Sequence, residues 1–355
     1  MAYAPILIER AFEENLWLKS RAAGGVRVAD LTCLEICAGA GGQSLGLEQA
    51  GFSHVAAVEI DEYACETLAL NRPEWHPVEM DVHKFDGYDY QGVDLLAGGV
   101  PCPPFSIAGK QLGADDERDL FPQALRLVEE CDPTAVMLEN VRGLSGARFA
   151  SYREQVVGRL LRLGYEVEWQ VLNACEYGVP QLRPRFILVA MKPDIGRNFQ
   201  WPNALGSPPT VGEVLRDLMA ADGWPGADMW AAKANGIGPT LVGGSRKHGG
   251  PDLGPTRARE GWLKLGVDGK GLADAAPRRD HALDHVPRLT VAMAAAVQGF
   301  PPEWRFAGRK TAAYRQVGNA FPPPVARSVG TSIRSAIEAA RGISPARTKR
   351  LLRAV

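Results

Sequence analysis

Several features are missing from the 355-residue chain, and each absence excludes a class of protein. No apolar run approaches the roughly 18 residues that a membrane-spanning helix needs. The first residues, MAYAPILIERAFEEN, have neither the basic start nor the long apolar stretch of a signal peptide, and their acids argue against a transit peptide. We therefore expect a cytoplasmic protein that has no membrane partner.

The six cysteines form no CxxC pair and no cluster with histidine, so no metal site is predicted. In the cytoplasm they should be reduced, and most should be small core residues. The net charge of −1 does not by itself indicate a nucleic-acid binder. Basic residues are nevertheless grouped at 245–250, 256–259 and 347–353, where they form either solvated surface or a stripe that faces phosphates.

From residue 31 onward, apolar segments typical of buried strands alternate with segments typical of helices. This alternation predicts an α/β fold with a mostly parallel sheet that is covered on both faces. Near Trp201 the chain becomes rich in Gly, Pro, Trp and Arg, which predicts a smaller, irregular domain. The expected organisation is an N-terminal helical extension (1–30), a catalytic and cofactor-binding domain (31–200 and 287–343), the irregular domain (201–286) and a basic C-terminal tail (344–355).

A glycine turn at residues 39–42 follows the first predicted strand. Such a turn brings backbone N–H groups close to a ligand, and Glu59, at the end of the second strand, stands where an acid accepts hydrogen bonds from ribose. Because Ser44 breaks the dinucleotide fingerprint GxGxxG, a pyrophosphate cofactor is disfavoured. S-adenosylmethionine, a nucleoside without phosphates, fits instead, and Asp81 is placed to accept from its adenine amino group.

Cys102 stands at the centre of GGVPCPPFSIAG, where three prolines fix the backbone around the thiol. It follows a predicted strand, at the sheet edge where ligands of open α/β sheets bind. Another strand ends in Glu139 at the same edge, and the segment QLRPRF carries Arg183 and Arg185. We expect the thiol, the carboxyl group and the arginines to lie close together.

Taken together, these motifs resemble those of the cytosine-C5 DNA methyltransferases of bacterial restriction-modification systems. The matching segments occur in the family's order: ICAGAGGQSLGLEQAG, VEID, GGVPCPPFSIAG, LENVRG, QLRPRF, RLTVAMAAAVQGFP and YRQVGNAFPPPVA. They cover most of residues 33–200 and 287–327. The resemblance implies a Rossmann-like S-adenosylmethionine-dependent methyltransferase fold, double-stranded DNA as substrate and a monomer paired functionally with a restriction endonuclease. It also makes 201–286 the target recognition domain.

The resemblance implies a role for each catalytic candidate. Cys102 would attack C6 of the target cytosine, and Glu139 would hydrogen-bond N3 and the exocyclic amine. Arg185 would hold the base, with Arg183 nearer the phosphate.

The implied cofactor contacts include Glu59 on the ribose and Asp81 on the adenine amine. Asn319, from the C-terminal part of the chain, would also contact the cofactor. The whole implied cofactor set is Cys37, Ala38, Gly39, Ala40, Gly41, Gly42, Glu59, Ile60, Asp81, Val82, Gly99, Pro101, Leu120, Asn319 and Ala320. The expected DNA contacts are Ser106, Arg246, Lys247, Arg257 and Arg259.

The chemistry of cytosine independently requires groups of these kinds. C5 is a poor nucleophile, but addition of a thiolate at C6 produces an enamine that can attack a sulfonium methyl group. A carboxyl group that donates a proton at N3 neutralises the charge that builds on the ring, and an arginine at O2 adds electrostatic stabilisation. Because the target carbon is inaccessible inside a duplex, the base must be flipped out.

Three positions depart from the family's usual pattern. Cys37 replaces an aromatic residue, Pro103 replaces the glutamine that commonly follows the nucleophile, and Ala295 lies where a glutamate is usual. A tRNA cytosine-C5 methyltransferase is the nearest alternative, although the chain lacks the Cys-Phe-Thr insert typical of those enzymes. A catalytically silent DNA-binding regulator and a nicotinamide oxidoreductase are further alternatives, disfavoured by the intact catalytic candidates and by the broken fingerprint.

Overall fold

The computed structural model describes residues 31–101, 119–244 and 252–343. The N-terminal extension and the basic tail expected from the sequence therefore lie outside the described residues. The strands are β1 (Leu31–Ile36), β2 (Phe52–Glu59), β3 (Pro77–Glu79), β4 (Leu95–Gly99), β5 (Ala135–Val141), β6 (Glu166–Asn173), β7 (Gln181–Leu182), β8 (Pro184–Met191) and β9 (Gly238–Pro239).

Eleven α-helices lie in the described ranges, together with short 3₁₀ turns. They are α1 (Gly42–Gln49), α2 (Glu62–Asn71), α3 (Phe121–Cys131), α4 (Ala150–Arg162), α5 (Pro193–Gly196), α6 (Val211–Ala220), α7 (Ala227–Lys233), α8 (Thr256–Lys264), α9 (Val291–Gln298), α10 (Lys310–Asn319) and α11 (Pro323–Ala340). The 3₁₀ turns are Pro73–Trp75, Val82–Lys84, Tyr88–Tyr90, Arg142–Ser145, Ala147–Phe149 and Ala174–Tyr177.

Seven strands form one sheet in the order β3-β2-β1-β4-β5-β8-β6. The predicted α/β class and mostly parallel sheet are confirmed, with one reversal: β8 runs antiparallel to both of its neighbours. The register pairs Val141 of β5 with Arg185 of β8 and Glu139 with Ile187. The start of β8 therefore lies at the edge where β5 ends.

Alternation along the strands builds a core on each face of the sheet. Leu34 and Leu138 face a core that includes residues of α3 and α4. Cys33 and Met137 face the opposite core, which includes residues of α11. Helices cover both faces because each strand carries apolar side chains in both directions, as strands of parallel sheets do.

The region 201–286 is more regular than its composition predicts. It contains α6, α7 and α8, and α6 begins with a capping box between Thr210 and Glu213. Its tryptophans Trp224, Trp230 and Trp262 are buried in a core shared with residues of α9 and α10. Helices α4 and α10 were also missed, because their sequences mix polar residues into a weak apolar stripe. Among the described residues, no helix is long and apolar enough to cross a membrane.

Helices α1 and α11 pack closely at Gly46. A Cβ atom added there would overlap the Pro323 carbonyl oxygen and the Cβ of Ala326. Backbone atoms line this contact, so the neighbouring helix has no flexible side chain that could yield.

Replacing Gly46 with alanine should therefore lower the free energy of unfolding by about 1–3 kcal/mol, the usual cost of overpacking. Gly158→Ala in α4 is the matched control, because its Cβ would meet only the end of Arg162 at 3.6 Å. The control should stabilise the protein by about 0.5–1 kcal/mol, since alanine favours a helix. Urea denaturation of both variants measures the difference; equal midpoints would contradict the packing argument.

Candidate active site

A cavity of about 290 Å³ opens at the carboxyl edge of the sheet, where β1, β2 and β4 end. Glycine and alanine residues of the turn after β1 form much of its wall, together with the end of α10. This is the edge at which ligands of open α/β sheets bind.

The carboxylate of Glu59 fixes the glycine turn to the end of β2. Its Oε2 accepts a hydrogen bond from the backbone N–H of Gly39 at 2.7 Å, and its Oε1 accepts from those of Ile60 and Asp61 at 2.8 Å each. Since a carboxylate offers about four lone-pair sites, Oε2 keeps an acceptor position for a ligand. Glu59 thus shapes the cavity wall as well as lining it.

The turn at Cys37 and Gly39 leaves room for an uncharged part of a ligand, such as an adenosyl group. At Gly39 a Cβ atom would meet nothing within 4 Å, so its absence leaves open space at the turn. Cys37 lies in the left-handed region at φ 51° and also lines the cavity. Burial and the nearby carboxylates raise the pKa of the Cys37 thiol, so this sulfur stays protonated and neutral beside the ligand.

Glu139 and Arg185 form a buried ion pair beside this cavity. The Nε of Arg185 lies 2.8 Å from Oε1 of Glu139, and about nine-tenths of each side chain is shielded from solvent. The antiparallel register of β5 and β8 places these residues diagonally opposite each other on one face. Burial raises the pKa of the Glu139 carboxyl group above its ordinary value, although Arg185 opposes the rise.

The ion pair has direct access to the cavity. Glu139 lines the cavity, and a Cβ added at Gly99 would stand 3.5 Å from its Oε2. The next residue, Asn140, donates a hydrogen bond at 2.6 Å to the carbonyl of Val100 and so ties β5 to the end of β4. Cys102 itself lies outside the described residues, directly after Pro101 of the cavity wall.

A sequence model of C-5 cytosine-specific DNA methylases matches residues 31–335. The chain belongs to this family. It is 58% identical over 311 residues to the type II methyltransferase M.NaeI of Lentzea aerocolonigenes, an alignment covering 86% of this chain and 75% of that protein. It is 53% identical to the type II methyltransferase M.NgoMIV of Neisseria gonorrhoeae, over 86% of this chain and 98% of that protein.

A solved structure supports the same fold. A protein described as a DNA modification methyltransferase, encoded within a prophage of Escherichia coli, superposes with a TM-score of 0.60 at 24% sequence identity. The match covers 87% of this chain and 99% of that one. The fold is therefore the Rossmann-like methyltransferase fold, and the chain is a DNA cytosine-C5 methyltransferase whose cofactor is S-adenosylmethionine.

Most of the cofactor residues expected from the sequence line this methyltransferase's cavity, and their binding role stays a prediction. Gly41 does not line the cavity, because it packs against Leu68, Trp75 and Trp304. Val82 is likewise buried in the core, and Asp81 caps the turn Val82–Lys84 without lining the cavity. The expected residues that line the cavity are Cys37, Ala38, Gly39, Ala40, Gly42, Glu59, Ile60, Gly99, Pro101, Leu120, Asn319 and Ala320.

Seven lining residues were missed: Glu35, Gln43, Asp61, Ala64, Arg315, Gln316 and Phe321. Two signals could have found some of them. Glu35 is an acid inside an otherwise apolar strand, and Asp61 and Arg315 lie within the segments VEID and YRQVGNAFPPPVA.

The expected phosphate contact of Arg183 is wrong. This side chain is 1% exposed and donates to three backbone carbonyls: Leu241 at 2.7 Å, and Gly318 and Ala320 at 2.8 Å each. Arg183 lies between β7 and β8, and its side chain points into the interior, behind the cavity wall formed by Ala320. Arg183 thus joins the region 201–286 to the C-terminal segment.

The residues expected to contact DNA are only partly described. Arg257 is exposed on α8, while Arg259 is half-buried and pairs with Asp252 at 3.0 Å. Ser106, Arg246 and Lys247 lie outside the described residues. Asn319 donates a hydrogen bond to the carbonyl of Gly244 at 3.1 Å, one residue before the stretch that holds Arg246.

Arg183→Met should lower the free energy of unfolding by about 2–4 kcal/mol, because each buried acceptor left without a partner costs about 1–3 kcal/mol. Arg257→Met, at an exposed arginine, should change it by no more than about 0.5 kcal/mol. Chemical denaturation checks both variants. Wild-type stability of Arg183→Met would show that the three carbonyls need no buried donor.

Glu139→Gln should reduce the single-turnover rate of methyl transfer by about 10²–10⁴-fold, the usual contribution of a general acid. The role expected from the sequence makes the protonated carboxyl group the donor, and burial raises its pKa, so the wild-type rate should fall as pH rises through that raised value. The variant should lack this fall. The matched control is Glu129→Gln, which breaks an exposed ion pair on α3; its pH profile should match the wild type. A pH-dependent fall that persists in Glu139→Gln would assign it to another group.

Proposed function

We propose that this methyltransferase modifies a cytosine within a specific sequence of double-stranded DNA, through a transient bond between the Cys102 sulfur and C6 of the base. The observation that carries the proposal is the buried pair of Glu139 and Arg185 beside the cavity. A buried carboxyl group that keeps or shares its proton, next to a fixed guanidinium, suits a pyrimidine ring that gains negative charge at N3 and O2.

Each group would carry one part of the reaction. The thiolate of Cys102 would add to C6, while Glu139 donates a proton toward N3 and Arg185 stabilises the charge at O2. S-adenosylmethionine supplies an electrophilic methyl group, and Glu59 and the glycine turn would hold its ribose. C5 would take the methyl group as S-adenosylhomocysteine leaves. A base would then remove the proton from C5, the thiolate would leave as the C5–C6 double bond re-forms, and the N3 proton would return to Glu139.

The described residues next to the segment 102–118 support this role for Cys102. Asn140 donates a hydrogen bond to the carbonyl of Val100, and the N–H of Leu120 donates to the carbonyl of Pro101 at 3.2 Å. Pro101 and Leu120 line the same cavity as Glu139.

The DNA sequence would be read by the region 201–286, with the cytosine flipped out of the duplex to reach the site. The parallel pairing of β7 with β9 joins this region to the segment that carries Arg185. The type II relatives support a restriction-modification role. We further propose that the enzyme acts in the bacterial cytoplasm, as a monomer paired functionally with a restriction endonuclease. Neither a tRNA substrate nor a silent regulator is favoured, because the family is one of DNA methylases.

A DNA duplex with 5-fluorocytosine at the target position tests the covalent step. Fluorine at C5 leaves no proton for removal, so the wild-type enzyme with S-adenosylmethionine should remain bonded to the DNA through denaturing electrophoresis. Cys102→Ser should form no adduct and should transfer no tritiated methyl group, while it binds S-adenosylhomocysteine as the wild type does. Cys175→Ser, at a buried cysteine outside the cavity, is the control and should form the adduct. Methyl transfer by Cys102→Ser would refute the assignment.

Bisulfite sequencing of DNA from an expressing host would identify the modified site.

A further inference from the structure

The cavity wall has an uneven set of charges. Four acids line it: Glu35, Glu59, Asp61 and Glu139. Among the described lining residues, Arg315 is the only one with a positively charged side chain. Three of these acids already have partners: Glu139 pairs with Arg185, Glu35 lies 2.9 Å from His54, and Glu59 accepts three backbone N–H groups. Arg315 is therefore the lining group that suits a negatively charged part of a ligand.

Arg315 lines the cavity, and its guanidinium keeps hydrogen-bond donors available. Its guanidinium lies 3.6 Å from the carboxylate of Asp61, beyond hydrogen-bond length, and about a fifth of each side chain is exposed. Within the described part of the chain, the guanidinium makes no hydrogen bond at all. Its planar set of donors therefore remains available to a ligand.

The backbone of Arg315 is well anchored. The next residue, Gln316, accepts a hydrogen bond from Thr67 at 2.6 Å and donates one to the carbonyl of Ala307 at 2.9 Å. On the other side, the carbonyl of Arg315 packs against Gly243, where a Cβ would overlap it. Helix α10 is thereby fixed between α2 and the region 201–286. The backbone that carries the Arg315 side chain therefore has a defined position at the cavity.

The cofactor in the proposed function offers a partner for this arginine. Its methionine part carries one carboxylate, which needs a cation, beside a sulfonium and an ammonium group. An arginine fork binds a carboxylate through two parallel hydrogen bonds, which a lysine does not reproduce. We propose that Arg315 binds the carboxylate of the cofactor's methionine moiety and that Asp61 holds the guanidinium in position. This assignment rests on the proposed function, because it takes the adenosyl cofactor as the ligand.

Two ligands that differ only in the carboxylate test the assignment. S-adenosylhomocysteine contains the group, and its decarboxylated analogue ends in an aminopropyl chain. By isothermal titration calorimetry, Arg315→Gln should bind S-adenosylhomocysteine at least tenfold more weakly than the wild type, yet bind the analogue within threefold of it. Arg315→Lys should recover part of the lost affinity. Arg309→Gln, at an exposed residue before the same helix, should bind both ligands normally.

Equal losses for the two ligands in an Arg315→Gln variant that unfolds at the wild-type temperature, or no loss for either, would overturn the assignment. Unchanged binding of both ligands with weaker, less salt-dependent DNA binding would also overturn it, and would place Arg315 on a phosphate. Thermal unfolding of each variant separates a folding defect from a binding defect, since a folding defect weakens both ligands. If the wild type binds S-adenosylhomocysteine but never methylates DNA, the proposed function fails while the carboxylate assignment is still decided by the ligand pair.

Discussion

The ion pair between Glu139 and Arg185 depends on the reversed direction of one strand. In a wholly parallel sheet, residues at the start of a strand lie at the edge opposite to residues at the end of its neighbour. Because β8 runs antiparallel to β5, Arg185 at its start meets Glu139 near the end of β5. The same edge holds the cavity, so the reversal brings an acid, a cation and a cofactor pocket together.

Behind that edge, a buried polar cluster connects parts of the chain that are distant in sequence. Gln181 donates to Gln298, and Gln298 donates to the carbonyl of Val317, each at 2.7 Å. Arg183 adds its three bonds to backbone carbonyls of the region 201–286 and of the C-terminal segment. Its Nε is buried without a hydrogen-bond partner among the described residues, so the cluster is not fully satisfied. The cluster nevertheless connects the start of β8, where Arg185 lies, to the end of α10 at the cavity wall.

The sequence predicted most of this architecture because its strongest signals are local. Apolar strands, the glycine turn and the segment around Glu139 each carry their own pattern, and their order fixes the sheet edge. The direction of β8 left no such mark, since an apolar strand has the same composition in either direction. The role of Arg183 was missed for a related reason: the two arginines of QLRPRF look equivalent in the sequence, and only the packing of Leu241 and Ala320 separates them. Charges such as Arg315 became functional candidates only when folding placed them among four acids.

Residues 319–340 complete the cavity, since Asn319, Ala320 and Phe321 line it and α11 packs on the first helix after the glycine turn. During synthesis from the N-terminus, the cavity thus lacks part of its wall until these residues have been made. A fragment that ends before Asn319 contains every residue proposed to bond with the base, yet it has no complete cavity beside them.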